Sequence, residues 1–202
     1  NPPKIVTVEG LNGVGKTSLV NVAAYQAYKK HLDDWNSPLL IPCNRTFQLR
    51  PDHVTEDFID EVLMAVAQTL IDRAKTLKDL GESIKTGAVD KWLNSPQLQT
   101  VQGSISILAV GGGGGMNSET NTSSGFQRSG FRKEIFRWLS KLFPSPQDGG
   151  VICTIDNLEL LQTSEVARKL LEQLRDELLT VPGLRWVLCG ALGIVLGTAS
   201  SP

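Results

Sequence analysis

Histidine, cysteine and long apolar runs are all scarce in this chain. Its 202 residues include two His and three Cys. Cys43, Cys153 and Cys189 lie far apart, and with only His31 and His53 beside them no zinc-ligand spacing can be built. Each cysteine sits in or beside an apolar run, so all three are expected as reduced thiols packed in buried strands. The longest apolar stretch, 186–196, is too short to span a bilayer and contains glycines. The opening residues Asn1-Pro2-Pro3-Lys4 lack the apolar core of a signal peptide, so a cytoplasmic location is expected. Neither sign of charge is in excess. The 20 Lys and Arg meet 21 Asp and Glu for a net −1, which gives no global pull toward nucleic acid or an anionic membrane.

What is there reads as one α/β domain over 1–202, interrupted by an insertion around 81–130. The β-branched run at 4–8 reads as a buried parallel strand leading into glycines. A helix follows to about residue 31, with Leu19, Val20, Ala23, Ala24 and Ala27 inward and Lys29, Lys30 and His31 at its negative pole. Residues 38–43 read as a second strand. The stretch 55–77 has the clearest helical spacing, through Phe58, Val62, Val66 and Leu70, with acids crowding its start and bases its end. Between 81 and 130 the pattern breaks down. A candidate strand at 101–110 runs into five glycines, 111–115, with neither a following Gly-Lys-Ser/Thr nor an immediate helix start, so this stretch is expected as a flexible insertion and not a second phosphate site. Order resumes at 131–143, a helix with Phe131, Ile135, Phe136, Leu139 and Leu142 inward. Arg128, Arg132, Lys133, Arg137 and Lys141 lie on its other side, expected as a solvated face. Apolar strands at 151–155 and 184–189 flank a helix at about 164–179. Repeated strand–helix–strand alternation implies a parallel sheet covered on both faces, a three-layer α/β/α sandwich.

The segment with chemistry written into it is Gly10-Leu11-Asn12-Gly13-Val14-Gly15-Lys16-Thr17. It matches GxxxxGK[ST] and has the required setting, after a strand and at the start of a helix. Gly10, Gly13 and Gly15 let the backbone curl, so that the N–H groups of this loop, through Asn12 and Val14, point into one anion-sized hollow at the positive end of the helix. Lys16 supplies a compact cation for the β- and γ-phosphates. Thr17 is placed to ligate Mg2+, and Ser18 is a further contact, to the α-phosphate. Asp156 is the natural second piece, because the strand at 151–155 delivers it to the carboxyl end of the sheet, where α/β sites lie and where a carboxylate can hold Mg2+. The next residue is Asn157, which cannot accept a proton as a carboxylate does. Either Glu159 activates water from the next turn, or hydrolysis is slow; slow hydrolysis is the preferred expectation.

The glycine loop, VICTIDNLELL and LRWVLCG, in that order, resemble AAA+ and STAND-type P-loop ATPases, including relatives of origin-recognition ATPases. The resemblance implies a P-loop NTPase fold in which the strand after the aspartate lies between it and the glycine-loop strand. It also implies a polar sensor residue at that strand's tip, where this chain has Gly190-Ala191, and a further strand and helical lid beyond it. The chain is accordingly expected to be part of a longer polypeptide. Residues 8–17 are also similar to the loop of thymidylate kinases. That family, however, has aspartate where Asn12 stands, and its Arg-Glu-Pro and Asp-Arg segments have no counterpart here.

The expected function is therefore that of an ATPase or nucleotide switch with Mg2+, within a larger signalling, defence or nucleic-acid-handling protein, with catalytic candidates Lys16 and Glu159. The alternatives are a nucleotide kinase, with the Arg128 to Arg137 cluster imitating a lid, and an ATP-binding module with little turnover, suggested by Asn157. ATP is favoured as the nucleotide because no guanine-reading Asn-Lys-x-Asp segment occurs. A protein partner or further domains of the same chain are expected, while net charge lends nucleic acid no support.

Overall fold

The computed structural model of the chain describes residues 4–11, 13–50, 53–94, 128–158, 170 and 172–190. Four strands, β1 (Ile5–Glu9), β2 (Leu39–Gln48), β3 (Gly149–Asp156) and β4 (Leu184–Gly190), form one sheet in the order β1-β4-β3-β2. Every neighbouring pair is parallel. The helices are α1 (Lys16–Asp33), α2 (Thr55–Asp72), α3 (Ala74–Asp79), α4 (Gly87–Leu93) and α5 (Arg128–Leu142), and a π-helical turn (Arg175–Leu179) precedes β4. The protein is thus an α/β structure with a parallel sheet. β4 lies between β1 and β3, where the resemblance put the strand that follows the aspartate.

β3 and β4 are buried along nearly their whole length, which explains why their sequences are continuous apolar runs and not alternating ones. Two glycines let β3 enter the sheet. Gly149 has φ 118°, and a Cβ there would lie 2.0 Å from the Leu39 carbonyl oxygen. Gly150 leaves room for the Gly183 carbonyl, which accepts the Val151 N–H at 2.8 Å. Only a residue without a side chain lets the backbones meet this closely.

The core lies against α2, which buries Phe58, Val62, Leu63, Val66, Ala67 and Leu70, and it continues through Phe131, Ile135 and Leu139 of α5. Trp92 of α4 stacks on Phe131 with ring centroids 4.5 Å apart. Arg132 carries charge across the α2–α5 seam. Arg132 pairs with the buried Asp60 at 2.5 Å and with Glu56 at 2.6 Å. Burial works against the guanidinium charge, but hydrogen bonding and attraction to Asp60, then Glu56, hold its pKa above the usual arginine value.

The expected elements differ from the observed ones in several places. β1 is not buried: Ile5 and Val6 are exposed, because among the described residues it is an edge strand paired only with β4. The inner face of α1 is Val20, Ala24 and Tyr28, while Leu19 and Ala23 are exposed and Ala27 is half-buried. β2 runs on past Cys43 to Gln48 through a register shift between Pro42 and Thr46. The helix expected over 55–77 is broken at Arg73 into α2 and α3. α4 falls in a stretch where no order was expected. The candidate strand at 101–110, the glycines at 111–115 and the start of the helix at 164 lie outside the described residues.

Candidate functional site

The glycine loop leaves the sheet at the carboxyl end of β1, where the Gly10 N–H donates to the Gly190 carbonyl at 3.3 Å and ties the loop to the tip of β4. Gly13 and Gly15 then adopt φ of 80° and 86°, the left-handed region that side chains disfavour. Gly15 occupies the N-cap of α1. No side chain caps the helix and no acidic residue stands in its first turn. The first N–H groups of α1 thus lack an acidic or capping acceptor from their own chain, and they carry the positive end of the helix dipole.

Lys16 folds back over this loop. Its Nζ donates to the carbonyl oxygens of Gly10 at 3.0 Å and Leu11 at 3.1 Å. Both acceptors are neutral, so these bonds leave the ammonium charge uncompensated.

In the first turn of α1, the Thr17 hydroxyl donates to Asp156 Oδ2. The two residues are 139 positions apart, and the fold brings them together by setting β3 two places from β1, with β4 between them and the carboxyl ends of both on the same side. The other carboxylate oxygen, Oδ1, accepts the Asn157 N–H at 2.9 Å. Asn157 has φ 58°, so the chain turns sharply as it leaves β3, and this turn aims the N–H at the carboxylate. Asparagine tolerates that conformation better than most residues. The clamp was not read from the sequence, although Asn directly after a strand-ending Asp was a usable signal.

Of the expected site residues, Gly10, Gly13, Val14, Gly15, Lys16, Thr17 and Ser18 lie at the loop and helix start, with Val14 and Ser18 exposed, and Asp156 faces them. Asn12 and Glu159 lie outside the described residues, as does Ala191 beyond the β4 tip. Among the described residues no cluster of three or more His, Cys, Asp or Glu forms a metal cage. Thr17 and Asp156 instead offer a hydroxyl and a carboxylate in direct contact, a pair of hard oxygen donors. Such a pair suits Mg2+, which usually takes one or two protein oxygens and fills its octahedron with water and phosphate oxygens.

The basic side of α5 is largely engaged within the protein. Arg132 binds Asp60 and Glu56, Arg137 binds Glu134 at 2.5 Å, and Lys141 donates to the Ser83 carbonyl. Among the described residues no helix is long and apolar enough to cross a membrane. Comparison with protein-family models and with curated proteins gives no match.

Proposed function

We propose that the chain is a P-loop NTPase domain of the three-layer α/β/α type that binds Mg-ATP between the glycine loop and Asp156. It would act in the cytoplasm as an ATPase or nucleotide switch within a larger signalling, defence or nucleic-acid-handling protein. The observation that carries this reading is the Thr17–Asp156 hydrogen bond. An ordinary glycine turn between a strand and a helix has no need of a helix hydroxyl meeting a carboxylate from a strand far along the chain. The order β1-β4-β3-β2 supports it as well, since it gives the glycine loop and the aspartate a shared edge of the sheet.

On this reading the N–H groups at the start of α1 and the loop amides receive the phosphates. Lys16 exchanges its two carbonyl partners for β- and γ-phosphate oxygens, which are better acceptors for an ammonium. Mg2+ would be held by Thr17 Oγ1 and Asp156, and when bound it supplies charge neutralisation on the phosphates. The Asn157 N–H keeps the Asp156 carboxylate in place. Hydrolysis would be attack of water on the γ-phosphate, with Lys16 stabilising the charge that develops. Asn157 itself offers no base, which favours slow turnover and leaves Glu159 as the candidate. A Glu159→Gln variant that binds ATP normally and no longer releases phosphate would assign it that role; unchanged turnover would remove it. Arg132 and Arg137, two members of the cluster read as a lid, are paired within the protein, which gives the kinase alternative no specific support.

The test is binding of a fluorescent ATP analogue to the wild-type chain and to Lys16→Ala. Loss of the charge-assisted contacts is expected to weaken affinity by about 100-fold, or about 2.7 kcal/mol. Unchanged affinity would rule the reading out.

A further inference from the structure

The three cysteines were expected as inert buried thiols. Cys153 and Cys189 are buried, but Cys43 is only half-buried and is not alone. The last regular pair before a break in the β2–β3 register is Pro42↔Ile152, so Cys43 and Cys153 each directly follow a paired residue on neighbouring strands. Neighbouring strands stand about 4.8 Å apart, inside the window of roughly 4.4–6.8 Å between Cα atoms that a disulfide needs. Corresponding residues of parallel strands point to the same face, and interaction with the Cys153 thiol is the largest influence on the Cys43 pKa. After Pro42 the pairing slips and resumes at Thr46↔Thr154, so two residues of β2 are extra there. That bulge gives β2 slack at the very point where a covalent bond would have to form.

The surroundings divide the two thiols into unlike roles. Interaction with the Cys153 thiol, helped against burial by the Arg45 backbone N–H, the Thr69 hydroxyl and the Asn44 backbone N–H, holds the Cys43 pKa down to about 7. Thr69 Oγ1 lies 3.6 Å from Cys43 Sγ and is itself anchored to the Ala65 carbonyl at 2.7 Å. Burial pushes the Cys153 thiol well above the usual range, so it keeps its proton. A partly buried cysteine with thiolate character, on the strand next to a buried thiol, has the arrangement of an attacking and a resolving cysteine.

We propose that Cys43 and Cys153 are a peroxide-sensitive thiol pair that closes to an intrachain disulfide between β2 and β3. The oxidant is a hydroperoxide. The Cys43 sulfur attacks one peroxide oxygen, the O–O bond breaks, and in the case of hydrogen peroxide the departing hydroxide leaves as water with the thiol proton, giving a sulfenic acid on Cys43. The Cys153 sulfur then attacks the Cys43 sulfur. The S–O bond breaks, hydroxide leaves as a second water with the Cys153 proton, and an S–S bond forms. Two thiols are oxidised and one peroxide is reduced. The bond would latch β2 to β3 three residues before Asp156. This inference does not depend on the nucleotide reading.

The experiment treats the 202-residue chain with hydrogen peroxide, blocks free thiols under denaturing conditions, digests with trypsin and maps the peptides by mass spectrometry. The expected result is a linked pair joining peptides 31–45 and 142–168, in protein that runs as a monomer on a non-reducing gel. The linkage should disappear with dithiothreitol and persist in Cys189→Ser. In Cys43→Ser it should be absent, with Cys153 still fully open to alkylation. The proposal is overturned if wild-type Cys153 stays alkylatable while Cys43 is untouched or goes on to sulfinic acid, or if the linkage joins two chains.

Discussion

Two helices of 18 residues each, α1 and α2, pack against the sheet and differ in how much of themselves they bury. α2 hides ten residues, Phe58, Val62, Leu63, Val66 and Leu70 among them, whereas α1 hides only Val20, Ala24 and Tyr28. The apolar residues of α1 are spread around it, and Leu19 remains 64% exposed. What locates α1 is its first turn: a glycine cap in the left-handed conformation, a lysine folded over the loop, and a hydroxyl bonded across to β3. The comparison separates two tasks. The α2 side of the molecule holds the fold, and the start of α1 carries the proposed nucleotide site, so substitutions in the two helices should register in different measurements.

The largest effect on stability is expected in α2. Leu63→Ala removes a fully buried side chain and should cost about 2–5 kcal/mol in urea unfolding. A loss below about 1 kcal/mol would show that α2 is less central than its burial implies. Next comes the charged seam. Arg132→Ala takes the guanidinium from beside the buried Asp60, and because Arg132 is partly exposed the cost should be about 2 kcal/mol, below that of a fully buried pair. Restoration by Asp60→Asn in the same background would assign that cost to the stranded carboxylate. The smallest effects belong to α1. Leu19→Ala and Lys16→Ala should each stay within about 0.5 kcal/mol of wild type in the same unfolding experiment. A large loss at Leu19 would mean that its exposed face is covered in solution and would break the contrast between the helices.

Much of this organisation was legible in the sequence where a single physical signal dominated. β3 and β4 are unbroken apolar runs because both their faces are covered, and α2 was visible from its spacing and from the acids in its first turn. That Asp156 would stand near the glycine loop was legible because parallel strands deliver their carboxyl ends to one side of a sheet. Features that depend on which strands become neighbours were not. The exposure of β1 follows from its place at the edge of the described sheet, which its own five residues do not encode. The break at Arg73 has no glycine or proline to announce it. α4 is seven residues long, too short for a period to show, although Val89 and Trp92 anchor it in the core. The register shift between Pro42 and Thr46, which sets Cys43 and Cys153 on neighbouring strands at the break, is a fact of pairing and is invisible in either segment alone.

The central claim is that the glycine loop and Asp156 make one Mg-nucleotide site. Its most direct test is the affinity of a fluorescent ATP analogue with Mg2+ and with EDTA, measured on the wild type and on Asp156→Asn. The expected result is a loss of about tenfold, about 1.4 kcal/mol, on removing Mg2+ from the wild type, and little further loss in Asp156→Asn. Equal dependence on Mg2+ in the two proteins, or no binding by the wild type, would contradict it.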